Sequence, residues 1–377
     1  KLLTRKQLLA AAAMLLLAFD TMHFAQTRIA TIDSFVTLFI IWSYYFMFRY
    51  ALDEEGFAGS RVRDLVNLGL SGLFMGLGIA SKWTGFYAGA GLAVIFFWAL
   101  WRRVLQGMAA KALLDSELDI PFERVDAVRT AAWQWPWRTV RTLLWCVLFF
   151  IAVPAVIYYV SFLPWFMRTP GGLTVKKVFD VSFGATGSML SYHSDPGLGM
   201  DHPFYSPWYQ WPLSIKPLWF HAGKRLNGTG SSIFTFGNLA VWWGGFAAMV
   251  VLAVKWLGQR VQLDRVPVLR GLNTDKSDMR PGLILIAYLA QYLPWMLVSR
   301  GTYIYHYFPS VPFIVLGAAL VLCYLWDRRE KLASRVTIVY LVICLLFFVA
   351  FFPYASGLRV PAWWLSALQW FPNWLYF

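Results

Sequence analysis

Residues 299–329 read "SRGTYIYHYFPSVPFIVLGAALVLCYLWDRR", and the reading of that stretch decides the fold. No Lys, Arg, Asp or Glu lies between Arg300 and Asp327. A helix needs roughly 20 apolar residues to cross about 30 Å of hydrocarbon, and 303–326 supplies them. The chain as a whole has 377 residues, 59% of them apolar and 14% charged. A soluble domain cannot enclose that much apolar side chain, so the sequence reads as an integral membrane protein. Hydrocarbon satisfies no backbone polar group, so long apolar runs of this kind must be helices.

Working outward from 303–326, comparable runs occur at 7–20, 33–50, 65–81, 83–101, 139–163, 233–256, 282–299 and 335–353, about nine spans together. The expected fold class is all-α, a polytopic transmembrane helical bundle. Basic residues gather in 49–64, 102–141, 255–281 and 327–335, among them Arg102, Arg103, Arg124, Arg129, Arg260, Arg265, Arg270, Arg328 and Arg329. The positive-inside rule places these segments in the cytoplasm. Alternation then places 21–32, 161–232, 300–302 and the tail after Phe352 outside, without contradiction. The expected division is 1–160 (five spans), 161–232 (an external aromatic segment) and 233–377 (four spans and an external tail).

Composition excludes several classes. The net charge of +14 would point to nucleic acid in a soluble chain, but here Lys and Arg flank apolar runs and act as topology signals, so no nucleic-acid partner is expected. Cys146, Cys323 and Cys344 sit inside apolar runs without ligand spacing and read as buried packing residues. Leu8 to Phe19 lacks the small-residue cleavage site of a secretory signal. The chain starts at Lys1 and runs at once into apolar residues, so an upstream portion is expected to be missing.

Every unusual polar cluster falls on the outer side. In "HFAQTRIATIDSF", Asp33 suits the positive start of the next helix, and Arg28 reads either as an interfacial residue or as a holder of an anion beside that helix start. In "SKWTG", Lys82 and Trp83 are interfacial anchors or contacts to a phosphate oxygen, with Gly78 and Gly85 permitting close backbone approach. Arg300, His306 and Tyr307 carry the same two readings. Residues 172–190 read as an interfacial helix. The following "SYHSDPGLGMDHPFYSPWYQWP", residues 191–212, is too rich in Pro for a regular helix. There His202, Tyr205 and Ser206 set donors beside Trp208, Tyr209 and Trp211, a combination suited to sugars or lipid headgroups. His193 and His202 have no third ligand at metal spacing, so neither a metal nor a cofactor is expected.

Taken in order, "RIATIDSF", "SKWTGFYA", "SYHSDPGLGMDHPFYSPWYQWP", "SRGTYIYHYFPSVPF" and "FPYASGLRVPAWWLSALQWFPNWLYF" resemble the bacterial protein O-mannosyltransferases, polyprenyl-phosphate-dependent glycosyltransferases of GT-C type. The resemblance covers nearly the whole chain. It implies an inverting enzyme of the bacterial plasma membrane that moves mannose, or another hexose, from a polyprenyl-phosphate donor to Ser or Thr of an exported protein. It implies roughly eleven spans in a complete member, with an acidic pair carrying the catalytic base in a loop upstream of Lys1. Carried over by position, the catalytic set is Arg28, Asp33 and His202. The donor-phosphate set is Lys82, Trp83, His193, Tyr205, Ser206, Trp208, Arg300, His306 and Tyr307. The segment 161–232 is then a lid over the donor's sugar phosphate. Two other readings share these residues: a lipid-carrier glycosyltransferase acting on a wall polymer or glycolipid, and a non-catalytic flippase. The flippase fits less well because transporters set ionisable residues near the midplane, whereas these lie at span ends.

Overall fold

A computed structural model describes residues 1–116, 120–168, 174–223, 226–258, 278–371 and Trp374. Arg260, Arg265 and Arg270, read above as cytoplasmic, lie outside the described residues. In chain order the helices are α1 (Gln7–Ala18), α2 (Thr21–Arg28), α3 (Asp33–Ala51), α4 (Arg61–Ser81), α5 (Gly85–Asp115), α6 (Phe122–Val147), α7 (Val153–Val160), α8 (Leu163–Phe166) and α9 (Val175–His193). After strands β1 (Leu218–Ala222), β2 (Thr229–Gly230) and β3 (Ser232–Thr235) come α10 (Leu239–Gly258), α11 (Arg280–Tyr292), α12 (Val311–Arg328) and α13 (Glu330–Ser356). Strand β4 (Val360–Pro361) and α14 (Ala362–Ala367) follow. The chain packs as two compact units, residues 1–34 with 190–377, and residues 35–189.

All nine apolar runs are helical over most of their length. Among the described residues, six helical segments are long and apolar enough to cross a membrane, and a seventh if α1 and α2, bent by 60°, count as one span. These helices do not by themselves confirm the expected count of nine. Tyr, Trp and Ser lower the hydropathy of α3, and α11 is a short helix that passes into a 3-10 turn at Leu293–Leu297, where Pro294 lacks an N–H. The segment 233–256 begins as strand β3, not helix.

Residues 35–189 hold most of α3 and of α9 and all of α4 to α8. The turn from α4 to α5 depends on Gly85, since a Cβ there would lie 2.6 Å from the Gly78 carbonyl carbon. From α6 the chain passes through a π-helical stretch, Leu148–Ala152, into α7, whose second residue is Pro154, so the altered register absorbs the missing donor. At one end of this unit Arg103 forks onto Asp64 at 2.7 and 3.1 Å, donates to the Tyr50 carbonyl at 2.9 Å and lies over the Tyr50 ring. Arg138 reaches the same carboxylate at 3.3 Å and donates to the Phe57 and Gly59 carbonyls. These groups are buried, so α4, α5, α6 and the 52–60 connection are locked by one charge cluster.

In the other unit α12 is the most enclosed of the six candidate spans, with α1, α10, α11 and α13 packed about it. The helical bundle carries two small two-stranded sheets. Strand β1 pairs antiparallel with β3, and β2 with β4. Asn227 and Gly228 both have positive φ, as a tight hairpin turn requires. Trp219 stacks on Phe234 across the β1–β3 pair. Cys323 and Cys344 are buried as expected, whereas Cys146 is only half-buried.

Replacing Asp64 by Ala leaves two buried guanidinium groups without their shared carboxylate and should cost about 3–5 kcal/mol. Reversible unfolding in mixed detergent micelles should read a loss of that size. Lys111→Ala, which breaks an exposed pair with Asp115, should change the same measurement by less than about 1 kcal/mol.

Candidate functional site

The aromatic segment 191–212 and the stretch that opens the span at 303 are far apart in sequence and form one surface. Five hydrogen bonds join them. The Gly197 N–H donates to the Ser299 carbonyl (3.2 Å), Gly301 N–H to Leu198 (2.7 Å) and Ser206 N–H to Thr302 (2.9 Å). The Thr302 hydroxyl donates back to the Ser206 carbonyl (2.9 Å), and the Tyr303 hydroxyl to that of Gly199 (3.3 Å). The approach is so close that a Cβ on Gly301 would lie 2.3 Å from the Gly199 carbonyl oxygen. Pro203, Pro207 and Pro212 keep this segment from a regular helical ladder, and the carbonyls of Leu198, Gly199 and Ser206 find their donors on 301–303 instead.

On this scaffold the proline-rich segment tightens into a 3-10 turn at Trp208–Leu213. Ser206 is fully buried; its hydroxyl and carbonyl both accept from Trp211 Nε1, so it pins the segment from beneath. Trp208 meets Tyr292 edge-on and accepts the Tyr292 hydroxyl at its carbonyl (3.0 Å). Tyr205 is half-buried, its N–H bonded to the His202 carbonyl. His202 is exposed, with its ring edge-on to Tyr303 and Nδ1 accepting from the Phe204 N–H at 3.2 Å. His193 ends α9, beside the Tyr192 ring.

His306 and Tyr307 sit below this surface. His306 Nδ1 accepts from the Tyr303 N–H at 3.0 Å and caps the 3-10 turn Ile304–Ser310, with its ring between Trp295 and Tyr305. Tyr307 is fully buried and shares a hydrogen bond with Tyr288. Arg300 is half-exposed, and Nη1 donates to the Gly301 carbonyl. Asp33 is buried at the first turn of α3, and both it and Arg300 lie within electrostatic reach of the Tyr305 hydroxyl. Tyr305 and Tyr303 were missed by sequence reasoning, although both lie inside a stretch it singled out. Aromatics at a span end read as a belt, and only the fold brings these two hydroxyls to Arg300. Arg28 is exposed at the end of α2 and donates to the Ser356 carbonyl at 2.6 Å, with its guanidinium over the Phe24 ring.

Lys82 and Trp83 belong to the other unit, where Lys82 ends α4 in an extended conformation. Trp83 Nε1 donates to the Tyr158 hydroxyl (3.3 Å), which shares a hydrogen bond with Thr186 (3.0 Å). These three residues lie at a cavity of about 850 Å³ whose other walls are apolar, including Met75, Phe96, Phe150 and Pro154. Among the described residues, no group of three or more His, Cys, Asp or Glu is placed to hold a metal ion.

Two family models divide the sequence between them. The model described as dolichyl-phosphate-mannose-protein mannosyltransferase matches residues 1–169, and that of the C-terminal four-span region of protein O-mannosyltransferase matches residues 185–374. The chain belongs to the protein O-mannosyltransferase family. The polyprenol-phosphate-mannose–protein mannosyltransferase of Mycolicibacterium smegmatis is 25% identical, over 99% of this chain and 73% of that protein. The protein of the same description from Mycobacterium tuberculosis is 24% identical, over 99% and 72%. A structure of the Saccharomyces cerevisiae protein O-mannosyltransferase Pmt1–Pmt2 complex bound to the sugar donor matches 98% of this chain and 77% of that chain, with a TM-score of 0.73 and 11% identity. The fold is thus shared even where few residues are.

In this O-mannosyltransferase, Gly301→Ala should force the stretch 299–303 off 197–206 at a cost of about 1–3 kcal/mol. Limited proteolysis of the solubilised protein should then cut within 194–205 faster than in wild type. Unchanged cleavage would mean that the two stretches are not held by this contact.

Proposed function

We propose that this protein transfers mannose from a polyprenyl-phosphate carrier to Ser or Thr hydroxyls of exported proteins, at the extracytoplasmic face of a bacterial cell membrane. The observation that carries this reading is the hydrogen-bonded surface of 197–208 and 299–303. It sets aromatic faces, hydroxyl donors and Arg300 together, in a chain of this family. Nucleotide sugars are not available outside the membrane, so a lipid must deliver the sugar.

In the transfer, the acceptor hydroxyl oxygen bonds to the anomeric carbon as the bond from that carbon to the phosphate oxygen breaks. A base takes the hydroxyl proton, and the phosphate keeps the bonding electrons. Charge therefore grows on the departing phosphate. Arg28 and Arg300 supply cations for it, Tyr303 supplies a proton-bearing donor, and Trp208 with Tyr205 offers faces and donors to the hexose. Asp33 and His202 offer a carboxyl and an imidazole to the reaction, and His306 acts from below by fixing Tyr303. Within residues 35–189, Lys82 offers a further cation, and the apolar cavity by Trp83 suits a hydrocarbon chain of the isoprenoid type.

Arg28→Ala should lower kcat for transfer from polyprenyl-phosphate mannose to a Ser/Thr peptide by about 10²-fold or more. Mass spectrometry of secreted proteins, with and without the gene, should show hexose lost from Ser or Thr. Unaltered proteins with a changed wall polymer or glycolipid would replace this reading by the related glycosyltransferase, and an altered carrier distribution alone by a flippase. Ala93→Trp, which fills part of the apolar cavity, should raise KM for a long-chain carrier and leave that for a short-chain analogue unchanged. Equal effects on both would remove the chain from the cavity.

A further inference from the structure

The break between α1 and α2 is built around a side chain that sequence reasoning passed over. Asp20 is fully enclosed, and its carboxylate accepts three N–H donors from separate parts of the fold. Oδ2 accepts from the His23 N–H at 3.0 Å, which caps the start of α2. Oδ1 accepts from the Asn238 N–H at 3.0 Å and from Trp242 Nε1 at 2.9 Å. Asn238 in turn donates Nδ2 to the Phe19 carbonyl and the Cys344 carbonyl, each at 2.8 Å. Among the described residues no Lys or Arg pairs with Asp20.

Stability alone does not account for an acid here. Burying a carboxylate without a counter-ion is costly, and a well-packed neutral residue would avoid that cost. What the carboxylate offers is acceptance on both oxygens at once. An amide of the same shape presents an NH₂ to one of the two donor sets.

The consequence of this arrangement lies at the far end of α2. That helix has only 8 residues, and its last, Arg28, donates to the Ser356 carbonyl. Cys344 and Ser356 are both on α13. So α2 is tied to α13 at its start through Asp20 and Asn238, and at its end through Arg28. Thr21 Oγ1 and Gln26 Nε2 add bonds to the Phe236 carbonyl and to Thr235 Oγ1. The place of the guanidinium is then set by the register of α2 along α13, and that register is fixed at Asp20.

We propose that Asp20 is a positioning residue for Arg28: it touches no substrate and acts by holding α2 in the register that aims the guanidinium at the departing phosphate. This inference rests on the reading of Arg28 given above. A shift of about 1 Å in a catalytic group costs on the order of 10²-fold in rate.

The test is a double-mutant cycle on the full chain in membranes, assayed with polyprenyl-phosphate mannose and a Ser/Thr peptide. Asp20→Asn should lower kcat at least about 10-fold with a smaller change in KM for the carrier, at a near-normal thermal midpoint. In the Arg28→Ala background, Asp20→Asn should cause no further loss. If the two losses multiply, Asp20 serves stability or another step and the proposal falls. It falls equally if Arg28→Ala is slow and Asp20→Asn is as fast as wild type. If Arg28→Ala itself is as fast as wild type, the role given to Arg28 fails first, and the cycle shows this separately. Should Asp20→Asn not fold, Trp242→Phe takes its place. It keeps the ring and removes one of the three donors, and it should give a smaller kcat loss that again vanishes without Arg28.

Discussion

A buried backbone N–H or C=O needs a partner, and the main departures from regular helix among the described residues are shaped by that constraint. Where α1 stops at Phe19, the Phe19 carbonyl is taken by the Asn238 amide and the next helix is capped by Asp20. Where the chain from Leu293 to Ser310 leaves the α-helical ladder, His306 satisfies the Tyr303 N–H, and Thr302 and Ser206 bond to one another. At both places the irregular backbone is cross-linked to distant parts of the chain. Side chains that the fold needs for satisfaction are thereby fixed in place, and a surface built on them inherits that rigidity.

Arginine plays two roles that are told apart by how far its donors are used. Arg103 and Arg138 are buried, with both terminal nitrogens of each engaged by carboxylates and backbone carbonyls. They fasten helix ends and have nothing to offer a ligand. Arg28 stands exposed, with Nη1 on one carbonyl, and Arg300 is half-exposed with a single bond to its neighbour's carbonyl. A planar fork held at one corner presents the rest to an anion. Histidine divides the same way. His306 is enclosed by rings and caps a turn, whereas His202 is open on the surface.

Much of this was legible in the residues. Apolar length fixes where long helices run, and each of the nine apolar runs is helical over most of its length. The Pro-rich composition of 203–212 forbade a regular helix, and a 3-10 turn stands there. Gly78 and Gly85 announced a close approach that the backbone makes. Other signals were present and outweighed. Asn227-Gly228 is a hairpin turn pair, yet it lies in a segment read for its aromatics, so β1 and β3 were missed. Tyr303 and Tyr305 looked like an aromatic belt, because a belt and a ring of donors have the same composition.

The sequence by itself determined that the chain crosses a membrane as helices and which stretches remain outside the regular ladder, because those outcomes follow from local hydropathy, charge and the missing N–H of proline. The tertiary structure alone decided which of those stretches meet. Nothing local says that Gly301 packs on Gly199, that His306 turns inward while His202 stays open, or that Asp20 receives its donors from Asn238 and Trp242, more than two hundred residues away. Long-range partners are chosen by how helices pack, and packing depends on the shapes of all the faces at once.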